Sequence, residues 1–433
     1  MNNNIVGPLD GIRVLEWSMF QMAPWAGVML ADFGADVIKI EPPNVGEMAR
    51  GLIAAKVLAE MEKQGKIEEA KNIQQQMAQM GMLPYGKNPY FEANNRGKKG
   101  ITLDLTKARG KEILYCLIKN CDVFLHNHRQ GHPERMGLDY DTLRKYNPKI
   151  IYAAASGYGP KGPEASEPAY DAMGQARSGL MTKVGEPGMP PLYHTAGVCD
   201  QIGAIMTAYG IIAALLARER FGIGQKVDVS HLGSSMTLLG LAVSLELYTG
   251  IDPPLVARRS RKAAPNPLWN YYRCKDGKYV MLGMLDSDRY WPVTCKALGI
   301  EYLGKAPKFE SQKQRAVNCE ELIAIMDKCF LSKTVPEWTK TFRQTGDSII
   351  CVVQNVSDLP NDPQVIANNY VIDCNHEVLG AVKVLGITTQ LSNTPGEVRP
   401  EAPEFGQHTE EVLIEVGGYT WDDIVKFKDE GVI

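Results

Sequence analysis

The sequence predicts an α/β fold: a mostly parallel, Rossmann-like sheet covered by helices, with a smaller α+β unit after it. Three observations carry this. The 433 residues exceed the roughly 250 to 300 that one core usually holds. The N-terminal third alternates strand-length apolar runs with helical stretches. Near residue 225 that alternation gives way to a hairpin followed by helices.

Taken in order, IRVLEW reads as the first strand, Pro24 to Phe33 as a helix that Gly34 is placed to end, and DVIKIE as the second strand. The unit repeats as GITLDL, a helix near Lys107 to Asn120, DVFLHN, a helix near Asp141 to Tyr146, and IIYAAASGYG. Strands alternating with helices imply a parallel sheet covered on both faces. Between Glu47 and Gly81 a segment rich in Met, Gln, Glu and Lys predicts one or two amphipathic surface helices, a helical insertion spanning 47–85. The uncharged stretch Gln201 to Ala217 falls short of a 20-residue membrane span and is expected as a buried linker helix, 201–224. A second helix is expected from Ser234 to Tyr248. RCKDGKYVMLGM predicts a hairpin turning at Lys275, Asp276 and Gly277, followed by helices around Trp291 and Glu320. A helix start at Asp362 and Pro363, a strand at GAVKVLGI, a Pro-rich loop from Pro395 to Pro403 and a last helix complete the chain.

Composition narrows the function classes. With 44% hydrophobic and 22% charged residues the balance is that of an ordinary globular protein. A total of 47 basic against 50 acidic residues gives no basic face for nucleic acid. MNNNIVGPLDG lacks a basic segment followed by an apolar run, and nine cysteines without a CxxC pair fit reduced core residues, so a cytoplasmic protein is expected. There is no GxxxxGK[ST], GxSxG or HExxH, and no GxGxxG after the first strand. His126, His128 and His132 cluster at a strand end, but Arg129, Pro133 and Arg135 interrupt them, so no metal site is expected.

Polar and basic residues gather where predicted strands end: Gln21, then Asn95, Arg96, Gly97 and Lys98, then Asn127, His128, Arg129 and Arg135. In a parallel α/β sheet those ends open onto the ligand crevice, and Arg, Lys and helix N-termini there suit phosphates. A solvated loop face is the plainer reading of any one of them. Asp171, in PAYDAMGQARSGLM, sits just before a helix rich in small residues. An Asp in that place commonly caps a helix; partly desolvated, it can also act as a covalent nucleophile toward an acyl group.

PLDGIRVLEW, GADVIKIEPP, NNRGKKGITLDL, NHRQGHPERMGLDYDTLRKYNPKIIYAAASGYGPKGP, PAYD, DPQVIANNYV and APEFGQHTEEVL, in this order, closely resemble the class III CoA-transferase and racemase superfamily, the CaiB/BaiF-like proteins. The resemblance covers nearly the whole chain. It implies an interlocked dimer with a large CoA-binding domain built from both termini, 1–200 and 346–433, and a small central domain, 225–345. It places Asp171 on the catalytic aspartate and Gln21 on the residue that polarises the acyl carbonyl. Asn95 to Lys98, Asn127 to Arg129, and Arg135 fall on positions that hold coenzyme A.

The implied chemistry moves CoA from an acyl-CoA, succinyl-CoA being one common donor, to a carboxylic acid. It runs through an aspartyl anhydride and an aspartyl-CoA thioester on Asp171, without metal or ATP. Two departures stand out. The run of consecutive glycines that closes over the site in formyl-CoA:oxalate transferases is replaced here by RRSRKAAPNPLWNYYRC, where Trp269, Tyr271 and Tyr272 would suit a hydrophobic or aromatic acid. The 47–85 insertion is also longer than the resemblance leads one to expect. The rivals are an α-methylacyl-CoA racemase, which would carry a His beside the Asp where this chain has Tyr170, and one subunit of a two-chain transferase, active or silent.

Overall fold

A computed structural model describes residues 7–79, 88–257 and 263–433. Six strands form one wholly parallel sheet: β1 (Arg13–Trp17), β2 (Asp36–Glu41), β3 (Lys99–Thr102), β4 (Val123–His126), β5 (Ile151–Ser156) and β6 (Lys226–Ser230). Their order is β3-β2-β1-β4-β5-β6, the doubly wound arrangement whose direction reverses between β1 and β4. Alternate residues of each strand enter different cores, because side chains on a strand point to opposite faces. Val14, Val37, Leu125 and Ala153 pack under the helices Met22–Asp32 and Val198–Phe221. Leu15, Ile38, Phe124 and Tyr152 pack under Ala108–Ile118 and the C-terminal helices Thr409–Glu415 and Trp421–Asp429.

The expected strands and helices of the first 160 residues are present within a few positions of their predicted bounds. Gly34, at φ +99°, ends the first helix in a left-handed conformation that disfavours side chains. The insertion forms two helices, Leu52–Lys63 and Ile67–Gln79; its last expected residues, 80–85, lie outside the described ones. The segment expected as one helix from Ser234 is two, His231–Leu238 and Gly240–Thr249.

The chain divides into two compact units, Met1–Leu180 with Tyr193–Gly240 and Pro363–Ile433, and Met181–Leu192 with Leu241–Asp362. This corrects the expected boundary at 225: β6 pairs in parallel with β5 from Tyr152–Lys226 to Ser156–Ser230, so it closes the large sheet and does not open the small unit. Val198–Phe221 is likewise no linker but the crossover helix between β5 and β6. The smaller unit holds β7 (Tyr271–Arg273), β8 (Tyr279–Leu282) and β9 (Ile350–Val353), all antiparallel, over an aromatic core of Trp291, Phe309, Phe330, Trp338 and Phe342. Tyr272 belongs to that core, its hydroxyl donating to the Pro267 carbonyl at 2.7 Å, and this corrects its expected place against an acyl group. In the larger unit, β10 (Val371–His376) and β11 (Gly380–Leu385) form a hairpin of which only the second strand is legible in the sequence.

Buried ions run through the sheet. Glu16, Lys39 and Glu41 lie inside β1 and β2 with no exposure, joined by Lys98, Glu47 and Arg50. Lys39 reaches Glu47 at 2.8 Å and Glu16 at 3.3 Å, Lys98 reaches Glu16 at 2.8 Å, and Arg50 reaches Glu41 at 2.6 Å. Burial pushes the Glu16 carboxyl up, but the Lys98 and Lys39 ammoniums outweigh it and hold it below its ordinary value. Three carboxylates against three cations leave the cluster neutral, the condition under which such burial is tolerable.

Candidate active site

The sheet reverses between β1 and β4, and loops leaving neighbouring strands in opposite directions open a crevice there. A cavity of about 430 Å³ occupies it, walled by the loop after β1 (Met19, Phe20, Gln21), the loop after β4 (Asn127, His128, Arg129) and the start of the Val198–Phe221 helix. Asn127 ties the two loops together: its Oδ1 accepts from Met19 N at 3.0 Å and its Nδ2 donates to Met19 O at 2.7 Å. Phe20 is forced to φ +60°, which costs a non-glycine residue about 1–2 kcal/mol. Its amide donates to Glu47 Oε1 at 2.5 Å, so the buried ion cluster holds the strained turn that carries Gln21.

Gln21 is oriented by Tyr90, whose hydroxyl donates to Gln21 Oε1 at 3.2 Å. That occupies the acceptor end of the amide and leaves Nε2, a donor, without a partner among the described residues. Gly197 backs the same amide: at φ +63°, a Cβ there would lie 2.9 Å from both Oε1 and Nε2.

Asp171 opens the helix Asp171–Ser178, whose own N-cap is Tyr170. Its carboxylate caps a different helix. Oδ1 accepts from Cys199 N at 2.6 Å and Asp200 N at 3.2 Å, two of the orphan amides at the start of the 24-residue helix Val198–Phe221. Oδ2 accepts from Gln175 Nε2 at 2.6 Å, and Gln175 is fixed in turn by both backbone groups of His194. A helix N-terminus favours an anion, so the carboxylate is stabilised although Asp171 is only 7% exposed. Tyr170 and Asp200, its neighbours, line the cavity.

Of the residues expected to act, Gln21, Asn127, His128, Arg129 and Arg135 meet at this cavity. Arg129 and Arg135 are exposed and form no ion pair among the described residues, which leaves two guanidiniums available for phosphate. The side chains of Asn95, Arg96 and Lys98 do not reach it, a correction with a clear cause. Arg96 makes a two-pronged pair with Asp32 at 2.9 and 2.8 Å, and Lys98 spends its ammonium on Glu16, two carbonyls and Asn95. Gly97, at φ +73°, turns the chain between them, its amide donating to Glu401 O. These residues bind the fold together.

The histidines also resolve into packing. His126, His128 and His132 gather around Trp17, with His128 and Trp17 ring centres 3.7 Å apart. Burial, with His132 and Lys39 adding to it, lowers the His128 imidazole to about 3, so it is neutral.

Sequence reasoning missed Tyr90, Gln175, Asp200 and His231. Gln175 follows Asp171 by four positions in one helix, a spacing at which side chains meet, and was open to inference. The others are brought in by tertiary contacts alone.

The sequence matches CoA-transferase family III over residues 9–409, and the chain belongs to that family. It is 32% identical to an "Acyl-CoA transferase" of Fusarium pseudograminearum, over 99% of this chain and 88% of that protein. It is 31% identical to the "(R)-2-hydroxy-4-methylpentanoate CoA-transferase" of Clostridioides difficile, over 98% and 99%. The fold matches the crystal structure of a CaiB/BaiF family protein from Brucella suis with a TM-score of 0.79 and 26% identity, covering 95% of this chain and 99% of that one. The fold, the family and the transferase class are thereby established.

Proposed function

We propose that Asp171 is the covalent carrier in transfer of CoA from an acyl-CoA, succinyl-CoA among the donors, to a carboxylic acid. The observation that carries this is the seat of Asp171: a nearly buried carboxylate on two backbone amides, beside a cavity with two guanidiniums that form no ion pair among the described residues.

The geometry suits each step. Asp171 Oδ2, held among the described residues by the Gln175 side chain alone, attacks the thioester carbon, the C–S bond breaks and CoA leaves as thiolate. The Gln21 Nε2 group, oriented by Tyr90, donates to the acyl oxygen as it gains charge. The thiolate then attacks Cγ of Asp171, expelling the donor acid and leaving an aspartyl thioester. In that step the negative charge develops on Oδ1, which already accepts from Cys199 N and Asp200 N. Two such donors form a preassembled oxyanion hole, each worth about 3 kcal/mol at comparable sites. The acceptor carboxylate attacks Cγ, releasing thiolate, and thiolate cleaves the new anhydride to give product and free Asp171. Arg129 and Arg135 hold CoA phosphates at the mouth, and no step calls for a metal.

An interlocked dimer is part of this reading. Ile205, Tyr209, Ile212 and Leu216, spaced at four, three and four, leave an exposed apolar stripe along the Val198–Phe221 helix, which suits coverage by a second chain.

Incubation with succinyl-CoA or acetyl-CoA, trapping with hydroxylamine or borohydride, and mass spectrometry test the carrier. Modification maps to Asp171 and vanishes in Asp171→Ala. No adduct, with exchange of an α-proton for solvent deuterium, would replace the transferase by a racemase.

A further inference from the structure

Asp171 takes its two backbone donors from the start of the Val198–Phe221 helix, and that start has little of its own to hold it. The N-cap is Gly197, at φ +63°, and no side chain caps the helix from that position. A glycine there leaves the first turn loosely defined, because no Cβ limits the backbone and no side chain ties the orphan amides. The direction in which the Cys199 and Asp200 amides point is therefore set from outside the helix.

The helix His231–Leu238 sets it. His231 Nε2 lies 2.8 Å from Asp200 Oδ1, and Ser235 Oγ donates to Cys199 Sγ at 2.8 Å. The two residues whose amides meet Asp171 are each gripped by the side chain, from positions one turn apart on a single helix face. His231 is 7% exposed, and Cys199 and Ser235 are fully buried. The helix of Asp171 joins them through Gly174, where a Cβ would lie 2.8 Å from the His231 Cβ and 3.1 Å from the Cys199 Cβ.

Packing alone does not account for the imidazole. A carboxylate only accepts, so Nε2 carries a proton toward Asp200. Nδ1 is buried and makes no hydrogen bond among the described residues. Orphaning a buried polar atom is unfavourable, and an apolar side chain would fill the same place without that penalty. What the histidine adds is the bond to Asp200.

We infer that His231 and Ser235 are positioning residues for CoA transfer, acting through Asp200 and Cys199 to aim two amides at Oδ1 of Asp171. This rests on Asp171 as the CoA carrier. Thiolate and acceptor carboxylate both attack Cγ of Asp171 while it is held as anhydride or thioester. In each attack the carbonyl electron pair moves onto Oδ1, and there the alignment of the amides counts. Donors that serve the transition state change rate and leave substrate affinity nearly untouched when they are misaligned.

The test is exchange of isotope-labelled acetate into acetyl-CoA, and of labelled succinate into succinyl-CoA, by the purified chain. Expected in His231→Phe is a maximal exchange rate at least about tenfold lower, with the KM for acyl-CoA little changed. Ser235→Ala moves the rate the same way but less far, since sulfur is a weak acceptor. His231→Gln, whose amide nitrogen reaches as far as Nε2, recovers most of the rate; His231→Asn, whose amide reaches only as far as Nδ1, does not. In an Asp200→Ala background, His231→Phe adds no further loss, because its effect runs through Asp200. A wild-type rate in either single variant, equal rates in the Gln and Asn variants, or a full further loss in the double variant overturns the inference, while CoA transfer stands where the wild-type adduct maps to Asp171. No exchange with either donor and no adduct on Asp171 overturns the carrier as well. The Gln and Asn variants keep a polar side chain in place and decide the matter even where His231→Phe does not fold.

Discussion

The backbone amide of Cys199 donates a 2.6 Å hydrogen bond to Oδ1 of Asp171, which lies 28 positions earlier in another helix. Two helices that meet at their N-termini thus share one carboxylate, and in the function proposed for Asp171 the crossover helix between β5 and β6 supplies donors to the chemistry. Gly197, with its left-handed backbone, starts that helix against the Gln21 amide, so the carboxylate and the donor amide are set by one short turn.

Gly197→Ala therefore strikes the site harder than the fold. The new Cβ would sit 2.9 Å from both polar atoms of Gln21, and φ +63° adds a backbone cost of about 1 kcal/mol or more. A fall in kcat of at least about tenfold is expected, since each 1.36 kcal/mol of barrier is tenfold in rate. Steady-state kinetics beside a thermal melt separates the two effects, and a large Tm loss with normal kcat would contradict this.

Gln175→Ala strips Asp171 Oδ2 of its one partner among the described residues and removes the side chain that both His194 backbone groups bond. Leaving such groups unsatisfied costs about 1–3 kcal/mol, a tenfold to hundredfold loss in the rate of acyl transfer to Asp171. Single-turnover acylation with acetyl-CoA reads this directly, with the KM for the acyl-CoA expected to move little. Tyr90→Phe, which frees Gln21 to rotate, is expected to show the same pattern more weakly.

Arg129→Ala behaves in the opposite way. The guanidinium is exposed at the cavity mouth and far less committed than Arg96, so its loss raises the KM for acyl-CoA several-fold, leaves kcat near normal and reduces the salt dependence of binding.

How much of this was legible follows a physical line. The βαβ alternation and the hairpin turn at Gly277 are local patterns that can be read from one stretch at a time, whereas Asp171 and Gln21 are singled out by the family resemblance along the whole chain. No single stretch shows that Glu16, Lys39 and Glu41 are wholly buried, because the groups that pair with them, Lys98, Glu47 and Arg50, arrive from elsewhere in the chain. For the same reason Lys98 and Arg96 resembled phosphate ligands and are structural ions. β6 escaped notice because its residues are only partly buried at the sheet edge, so KVDVS lacks the apolar run of its neighbours. His231 and Tyr90 carry no sequence signal, since only tertiary contacts bring them to Asp200 and Gln21.

Lys39→Met removes one member of that buried cluster and leaves Glu16 and Glu47 short of a cation. Breaking a buried pair from one side costs about 3–5 kcal/mol, so a large drop in the urea midpoint is expected. Because Glu47 also holds the amide of Phe20, the surviving folded protein should lose kcat too. A surface pair such as Lys71 with Glu68 serves as the control: it is exposed on both sides, and its removal is expected to change neither.

Stability should fall on acidification through a window that His128 helps define. Its imidazole is lowered by burial, by His132 and by Lys39 from 6.5 to about 3. Between those values the unfolded chain binds a proton that the native state declines. By linkage, stability then rises with pH across the window: it is fully present above 6.5 and is lost progressively as the pH drops toward 3. The slope from this group is at most about 1.4 kcal/mol per pH unit. His126, lowered well below its ordinary value by burial and its neighbours, adds to it in the same direction. Buried carboxylates such as Glu16, held low by their cations, also lose stability in acid, so the wild-type curve alone does not isolate the histidine. The difference curve does. His128→Phe keeps an aromatic ring against Trp17 and removes the titration. Urea midpoints from pH 7 to 4 are expected to decline less steeply in the variant, with the two curves converging in shape above pH 6.5. Parallel curves throughout would mean that the imidazole takes up its proton in the folded state as readily as in the unfolded one.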